Sequence, residues 1–301
     1  MKGRVLQLSG LHALVEVEEL VWQCELRGRL KAAMRSATAP LAAGDWVDIE
    51  ATGPDVGVVE RVYPRRTKIS RVASGSRGRE QVIAANVDQL VIVVAARHPE
   101  PSPGFIDRAI AMALCSEILP VLCVNKVDLV ARELSLKFAD IYGNLGYAVL
   151  QTSAQTGEGV EELAGQLKDR VSAFVGQSGV GKSSLLNHLA PGLNIFTQEL
   201  MKRHERGRHT TTAARLYRLP KGGYLVDTPG IKELQLWEVA RPELAQYFVE
   251  MAPLADQCHF RDCQHRIEPG CAIRAAVEGG QVSQLRYEGY LRIAASLEER
   301  P

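Results

Sequence analysis

One eight-residue stretch restricts the fold of this chain more than any other. Gly176, Gln177, Ser178, Gly179, Val180, Gly181, Lys182 and Ser183 form a complete phosphate-binding loop pattern. An apolar, strand-like run at 172–175 precedes it and an apolar-periodic helix at 182–189 follows. That strand–loop–helix context is the one the pattern requires. Its glycines let consecutive backbone N–H groups curl around a β-phosphate, and the helix N-terminus adds the positive end of its dipole. Lys182 would reach the β- and γ-phosphates, and the Ser183 hydroxyl would ligate Mg²⁺. Ser184, next along the helix, completes this set.

The surrounding sequence agrees with such a unit. Residues 89–95, 121–124, 148–151 and 172–175 read as strands, and 105–116, 134–145, 160–168 and 182–189 as helices. The alternation predicts a parallel α/β sheet covered by helices. Residues 1–66 differ. Short alternating or β-branched segments at 12–17, 21–26, 44–50 and 56–62 are broken by Gly, Pro and Asp, as in a small all-β barrel. The periodicity leaves OB-like and SH3-like barrels both open. A helical pattern interrupted by a Cys/His cluster fills 236–301. The expected domains are therefore 1–66, 67–235 and 236–301.

A phosphate loop does not choose the base. Asn125, Lys126, Val127 and Asp128 end the strand at 121–124, the edge at which α/β sheets bind ligands. A fixed Asp128 carboxylate accepts both the ring N–H and the exocyclic amine of guanine, and adenine offers no such donor pair. Asn125 would brace the loop, and the Lys126 stem would cover the base. At the end of the next strand, Ser153 and Ala154 follow Thr152 and would supply a backbone N–H to the guanine oxygen.

Asp227, Thr228, Pro229 and Gly230 follow the strand at 224–226. Asp227 would hold Mg²⁺ through water, and the Gly230 N–H would touch the γ-phosphate. Between the loop and Asp227, the run Thr210, Thr211 and Thr212 offers a magnesium ligand. Thr211 is favoured, with its neighbours as rivals. Ile231 follows Gly230, where Ras-like enzymes carry a water-orienting glutamine. His209 is the candidate to orient or deprotonate water in its place. A role for His209 in RNA contact or packing stays open.

The order of these segments is distinctive. GTPases ordinarily run phosphate loop, threonine switch, DxxG, NKxD and SA. Here NKVD and TSA come first, which is a circular permutation. Each loop lies at the C-terminal end of a parallel strand, so rejoining the chain elsewhere preserves the site. Two readings from other classes are an RNA-binding assembly factor in which nucleotide only stabilises the fold, and a metabolite kinase, which NKVD and the threonine run disfavour.

Together with a β-barrel start, Gly207 to Thr212 and a C-terminal Cys-x4-Cys-x-His-x5-Cys, this chain resembles the circularly permuted GTPases that act on the small ribosomal subunit, the RsgA/YjeQ family. The resemblance implies an OB-fold domain, a permuted GTPase domain and a zinc-binding domain. It also implies GTP and GDP as ligands, and a partner in the small ribosomal subunit and its rRNA. The implied role is late in small-subunit maturation, with hydrolysis stimulated by the subunit.

Cys258, Cys263, His265 and Cys271 offer three thiolates and one imidazole within fourteen residues, a closed structural zinc set with no open catalytic position. His259 is the rival imidazole. Its adjacency to Cys258 makes joint chelation awkward, and the family pattern favours His265. Cys24, Cys115 and Cys123 stand singly in apolar stretches and read as core residues.

Whole-chain composition adds less. Of 301 residues 46% are apolar and 24% charged, with a net charge of +1, so the balance does not announce nucleic acid. Local charge is more telling. Seven Lys/Arg and no acid lie between Arg61 and Arg79, and four more between Arg27 and Arg35. Either a solvated basic surface or a phosphate-contacting face would account for them. No leader or membrane-spanning run is visible, so the expectation is a cytoplasmic monomer that does not contact membrane.

Overall fold

The computed structural model describes residues 1–36, 40–72, 80–131, 139–191, 214–227 and 239–298. Strands β1 (Lys2–Ser9), β2 (His12–Val17) and β3 (Leu20–Leu26) form a meander, and α1 (Gly28–Ser36) leads to β4 (Trp46–Gly53) and β5 (Val56–Val62). The strand order β1-β2-β3-β5-β4 closes through β1–β4 pairing, and β3 runs parallel to β5. A closed five-stranded barrel with this crossover is OB-like, which resolves the choice left open by periodicity. Val5, Val15, Leu26, Val47 and Val59 fill its interior. The helix α1 is a correction to the all-β expectation for 1–66. Its Leu, Lys, Ala, Met and Arg residues are good helix formers.

A hairpin, β6 (Lys68–Val72) and β7 (Glu80–Ala85), follows the barrel. It touches the barrel through an Ala43–Ala84 bridge. Gly44 makes this approach possible: at φ +93°, a Cβ there would meet the Ala85 carbonyl oxygen at 2.0 Å.

The main sheet contains β8 (Gln89–Ala95), β9 (Leu119–Asn125), β10 (Ala148–Gln151), β11 (Val171–Gly176), β12 (Arg215–Arg218) and β13 (Tyr224–Asp227). Five strands are parallel in the order β10-β9-β8-β11-β13, and β12 is antiparallel to β13. Strand β12 also pairs with β1 of the barrel at Arg215 and Gln7, so barrel and sheet are continuous. Arg218, on β12, is 2.6 Å from Glu19, and Tyr224, on β13, donates to Glu16.

Side-chain alternation along β8 assigns the two faces. Leu90, Ile92 and Val94 pack with Ile106 and Ile110 of α2 (Pro103–Cys115). Val91, Val93 and Ala95 pack with Leu163 and Leu167 of α3 (Val160–Leu167) and with Leu185 and Leu189 of α4 (Lys182–Leu189). Full burial of each such side chain contributes about 1.5–3 kcal/mol, so β8 anchors both layers. Residues 139–143 are helical, and 134–138 of the helix expected at 134–145 lie outside the described residues.

The C-terminal part holds a 3₁₀ turn (Arg241–Tyr247), α5 (Ala252–Ala255), α6 (Ala272–Glu278) and α7 (Gln284–Glu298). Its Phe248, Met251, Tyr290 and Ile293 share one core with α2. Inside that contact Arg286 of α7, 1% exposed, grips Glu250 through Nε and Nη2 at 2.7 and 3.2 Å. The same guanidinium donates through Nη1 to Asp107 of α2, which also accepts from the Tyr142 hydroxyl at 3.1 Å.

The basic run meets acids that are distant in sequence. Arg65 makes a two-nitrogen contact with buried Asp45, both bonds at 2.7 Å. Arg66 pairs with Asp88 and Lys68 with Glu80. Arg27 and Lys31 of the other run pair with Glu60 and Glu25.

Candidate functional site

The phosphate-loop pattern leaves β11, a strand buried through Val175, and enters α4 at Lys182. Gly181 caps that helix in the left-handed region, φ +89°. A Cβ on Gly181 would lie 2.3 Å from Asn125 Nδ2, and one on Gly176 2.7 Å from the Val93 carbonyl oxygen. These glycines let the loop turn tightly against β8 and β9, leaving the first backbone N–H groups of α4 without intrahelical partners. Gln177, Ser178 and Gly179 are exposed, Val180 is buried beneath them, and Ser183 and Lys182 are half-buried.

Asn125, at the end of β9, is fully buried and ties three segments together. Its Nδ2 donates to the Val180 carbonyl at 2.8 Å. Its Oδ1 accepts from Thr152 Oγ1 at 3.2 Å and from the Ala154 N–H at 3.1 Å. Asp128 accepts a 2.5 Å hydrogen bond from Ser153 Oγ, which itself accepts from the Thr156 N–H at 3.1 Å. The carboxylate that would read guanine is thus held by the loop that would supply the N–H donor. Lys126, in the left-handed region at φ +63°, donates its Nζ to the His98 carbonyl. His188, near the end of α4, contacts the Ala154 carbonyl at 2.8 Å and adds a tie that sequence reasoning had not picked out.

Asp227 ends β13, and β13 pairs beside β11 with Val226 opposite Ala173. The sequence-predicted residues at 125–128, 153–154, 176–184 and 227 therefore gather at one edge of one sheet. His209, Thr211 and Gly230, with Thr210, Thr212 and Ile231, lie outside the described residues.

The second cluster is Cys258, Cys263, His265 and Cys271, whose ligand atoms all lie within 4.8 Å of one another. Cys258 Sγ is 3.4 Å from His265 Nδ1 and 3.9 Å from Cys271 Sγ, and Cys271 Sγ is 3.6 Å from His265 Nδ1. A tetrahedral zinc with bonds of about 2.3 Å to sulfur and 2.0–2.1 Å to nitrogen has S–S edges of about 3.8 Å and S–N edges of about 3.6 Å. The donor set fits such an ion, and His259 is not part of it. Burial pushes the Cys263 thiol up to about 12 and the His265 imidazole down. A divalent cation would supply the charge that such thiolates need.

The chain holds this cluster by local devices. His265 adopts φ +58°, and its carbonyl accepts from the Tyr287 hydroxyl of α7 at 2.6 Å. Cys271 caps α6, its sulfur accepting from the Arg274 N–H at 3.5 Å. Glu268 was not singled out by sequence, yet its carboxylate receives the N–H groups of Gln264, Arg266 and Ile267 at 3.1, 2.8 and 3.0 Å. Burial opposes its charge, but backbone N–H donors hold its carboxyl down to about 2. A glutamate three residues after a ligand histidine was the available signal.

The family model described as RsgA GTPase matches residues 62–237. The chain belongs to the RsgA GTPase family. It is accordingly a GTP hydrolase. The small ribosomal subunit biogenesis GTPase RsgA of Moorella thermoacetica is 43% identical over 300 residues, covering 100% of this chain and 98% of that one. The protein of the same description from Gemmatimonas aurantiaca is 42% identical, covering 93% and 91%. Among solved structures, YjeQ from Thermotoga maritima is 34% identical with a TM-score of 0.81, covering 100% and 99%. YloQ, described as a circularly permuted GTPase, is 30% identical with a TM-score of 0.76, covering 100% and 96%. The permuted order read from the sequence thus belongs to a family architecture.

Proposed function

We propose that this GTPase acts in small-ribosomal-subunit biogenesis, binding the subunit and its rRNA late in assembly and hydrolysing GTP faster when bound. The Asn125 brace carries the nucleotide half of this reading, because it joins the base-reading and phosphate-binding loops in one buried network. Names of relatives that are similar over the full chain support the subunit half. Residues 1–66 form the RNA-binding barrel, 67–235 the GTPase unit and 236–301 the metal-binding unit, in a monomer working in the cytoplasm.

Asp128 reads the guanine edge, with Asn125, Lys126, Ser153 and Ala154 shaping its loop. Gly176 to Ser184 cradle the phosphates, and Lys182 offsets their negative charge. Ser183 and Thr211 are the magnesium ligands, with Asp227 acting through water and Gly230 donating to the γ-phosphate. Magnesium, when bound, neutralises charge that develops on the β- and γ-oxygens. His209 orients the attacking water, since Ile231 has no polar group to do so. Cys258, Cys263, His265 and Cys271 hold a structural zinc ion that contributes folding energy and takes no part in hydrolysis.

Phosphate release measured with and without purified small subunits tests this. A sharp rise on adding small subunits is expected. An unchanged rate would leave the alternative, an assembly factor in which nucleotide only stabilises the fold.

A further inference from the structure

Within the dense basic run, Arg65, Arg66 and Lys68 each face a carboxylate from elsewhere in the chain and offer little free charge. A sparser set of cations, which includes Arg61 of that run, is arranged otherwise. Strand register places Lys2 beside Asp48 and Asp48 beside Arg61, and Arg4 beside Trp46 one step along. Lys2, Arg4, Trp46 and Asp48 point outward, since Gly3, Val5 and Val47, which alternate with them, are buried, and Arg61 is exposed.

On this outer face rings and cations alternate. Arg61 lies 5.0 Å from the Tyr63 ring centre and Lys2 4.9 Å from the same ring. Lys2 is also 5.0 Å from the Trp46 ring centre, and Arg4 is 4.4 Å from the same ring. Arg4 then reaches Tyr224 of β13 at 4.9 Å. Six side chains thus form one ladder, Arg61–Tyr63–Lys2–Trp46–Arg4–Tyr224, from barrel to GTPase sheet. Each spacing lies within the roughly 6 Å at which a ring face attracts a cation.

Such stacking fixes long side chains without neutralising them. Lys2 and Arg61 are exposed, and among the described residues neither has an ion-pair partner within 4 Å. Two acids border the ladder: Asp48 accepts from the Tyr63 hydroxyl at 3.0 Å, and Glu16, opposite Arg4 in the β1–β2 register, accepts from Tyr224. At the exposed end two cations, Lys2 and Arg61, face one carboxylate and are held in a row by rigid rings, which suits a regularly charged polyanion more than a mixed-charge protein surface.

We propose that this ladder on β1, β4 and β5 is the track on which the barrel binds an RNA phosphate backbone, with Lys2 and Arg61 contacting phosphates directly. The proposal rests on the reading of this chain as a small-subunit factor, and names the face that makes the contact. Because the Tyr63, Trp46 and Tyr224 rings already carry cations, the recognition is of backbone rather than of stacked bases, and it should be insensitive to sequence.

The test compares the full-length protein with Lys2→Gln/Arg61→Gln and with the control Arg66→Gln/Lys68→Gln. Binding to purified small subunits and to protein-free small-subunit rRNA is measured across a salt series, after unfolding midpoints show that all three are folded. The ladder variant should reduce the slope of log affinity against log salt by about two units on both targets, and the control by less than one. Equal slopes for wild type and ladder variant would overturn the proposal while leaving subunit binding intact. A loss seen with subunits but not with protein-free rRNA would overturn it by making a ribosomal protein the partner. Failure of the wild type to bind subunits at all would remove the functional reading itself.

Discussion

Replacing Arg286 by methionine should destabilise the C-terminal part severely. The guanidinium is 1% exposed and lies between two carboxylates, Asp107 at 1% exposure and Glu250 with a side chain 9% exposed. The methionine side chain fills most of the volume, so little cavity cost arises. What remains is two acids, one of them fully buried, with no counter-charge between them. Breaking a buried ion pair from one side costs about 3–5 kcal/mol, two to nearly four decades in the folded-to-unfolded ratio. Burial already raises the Asp107 carboxyl above its ordinary range, with the Arg286 charge pulling it back. Without Arg286 it rises further. A carboxyl whose folded value exceeds its unfolded value costs stability where it is ionised, at pH above the folded value. That cost disappears below the unfolded value, about 3.9. The deficit of Arg286→Met should therefore be largest near neutrality and shrink on acidification. Denaturant unfolding of metal-loaded protein between pH 5 and 8 measures it. Adding Asp107→Leu and Glu250→Gln should recover most of the loss. A single-variant deficit under about 1 kcal/mol, or one that grows on acidification, would refute the assignment of this triad as a coupled buried pair.

Three further outcomes follow from the nucleotide and metal sites. Asp128→Asn should turn the preference from guanine towards xanthine nucleotides by at least about tenfold, since one lost charge-assisted hydrogen bond is about 1.5–3 kcal/mol, and competition between GTP and XTP reads this out. Gly181→Ala should weaken GTP and GDP binding together, measured by titration calorimetry, because the new Cβ would lie 2.3 Å from Asn125 Nδ2 at a φ that L residues avoid. Chelator treatment should lower the unfolding temperature of the wild type and release one zinc per chain in a metal assay, whereas Cys263→Ser protein should be purified with little metal and show no such drop.

Much of the architecture was legible because local and long-range signals coincided. Strands β2, β5, β8 and β10 and helix α4 have the expected bounds, since apolar alternation or a continuous apolar run marks each. Strand β1 was not marked. Its register shifts between Val5 and Gln7, and this irregularity breaks the two-residue period on which such a reading depends. The nucleotide residues were legible as motifs, but the Asn125 network was not, because Val180 enters it through a backbone carbonyl that carries no side-chain signature. The basic run between Arg61 and Arg79 was legible as charge. The pairing of its Arg65 and Arg66 with Asp45 and Asp88 was hidden, because contact across 20 and 22 residues is set by the fold. The ladder cations were hidden for the converse reason: Lys2, Arg4 and Arg61 are dispersed in sequence and meet only when the barrel closes.

The strand order also sets a schedule for synthesis. Strand β11 lies between β8 and β13, yet the ribosome makes β8, β9 and β10 first. A growing chain therefore finishes Asp128 and Ser153 before it owns a phosphate loop, and it must extend 30 residues beyond Ser153 to reach Ser183 (183 − 153). At cellular elongation rates that interval lasts about 1.5–6 s. Until β11 is made, β8 exposes one edge of a strand whose seven residues are all buried in the finished molecule. GTP cannot serve as a scaffold during this time, because its phosphates have nowhere to bind. Permutation thus postpones nucleotide-assisted folding until more than half of the chain has been made, and leaves the nascent sheet dependent on whatever shields an open apolar strand.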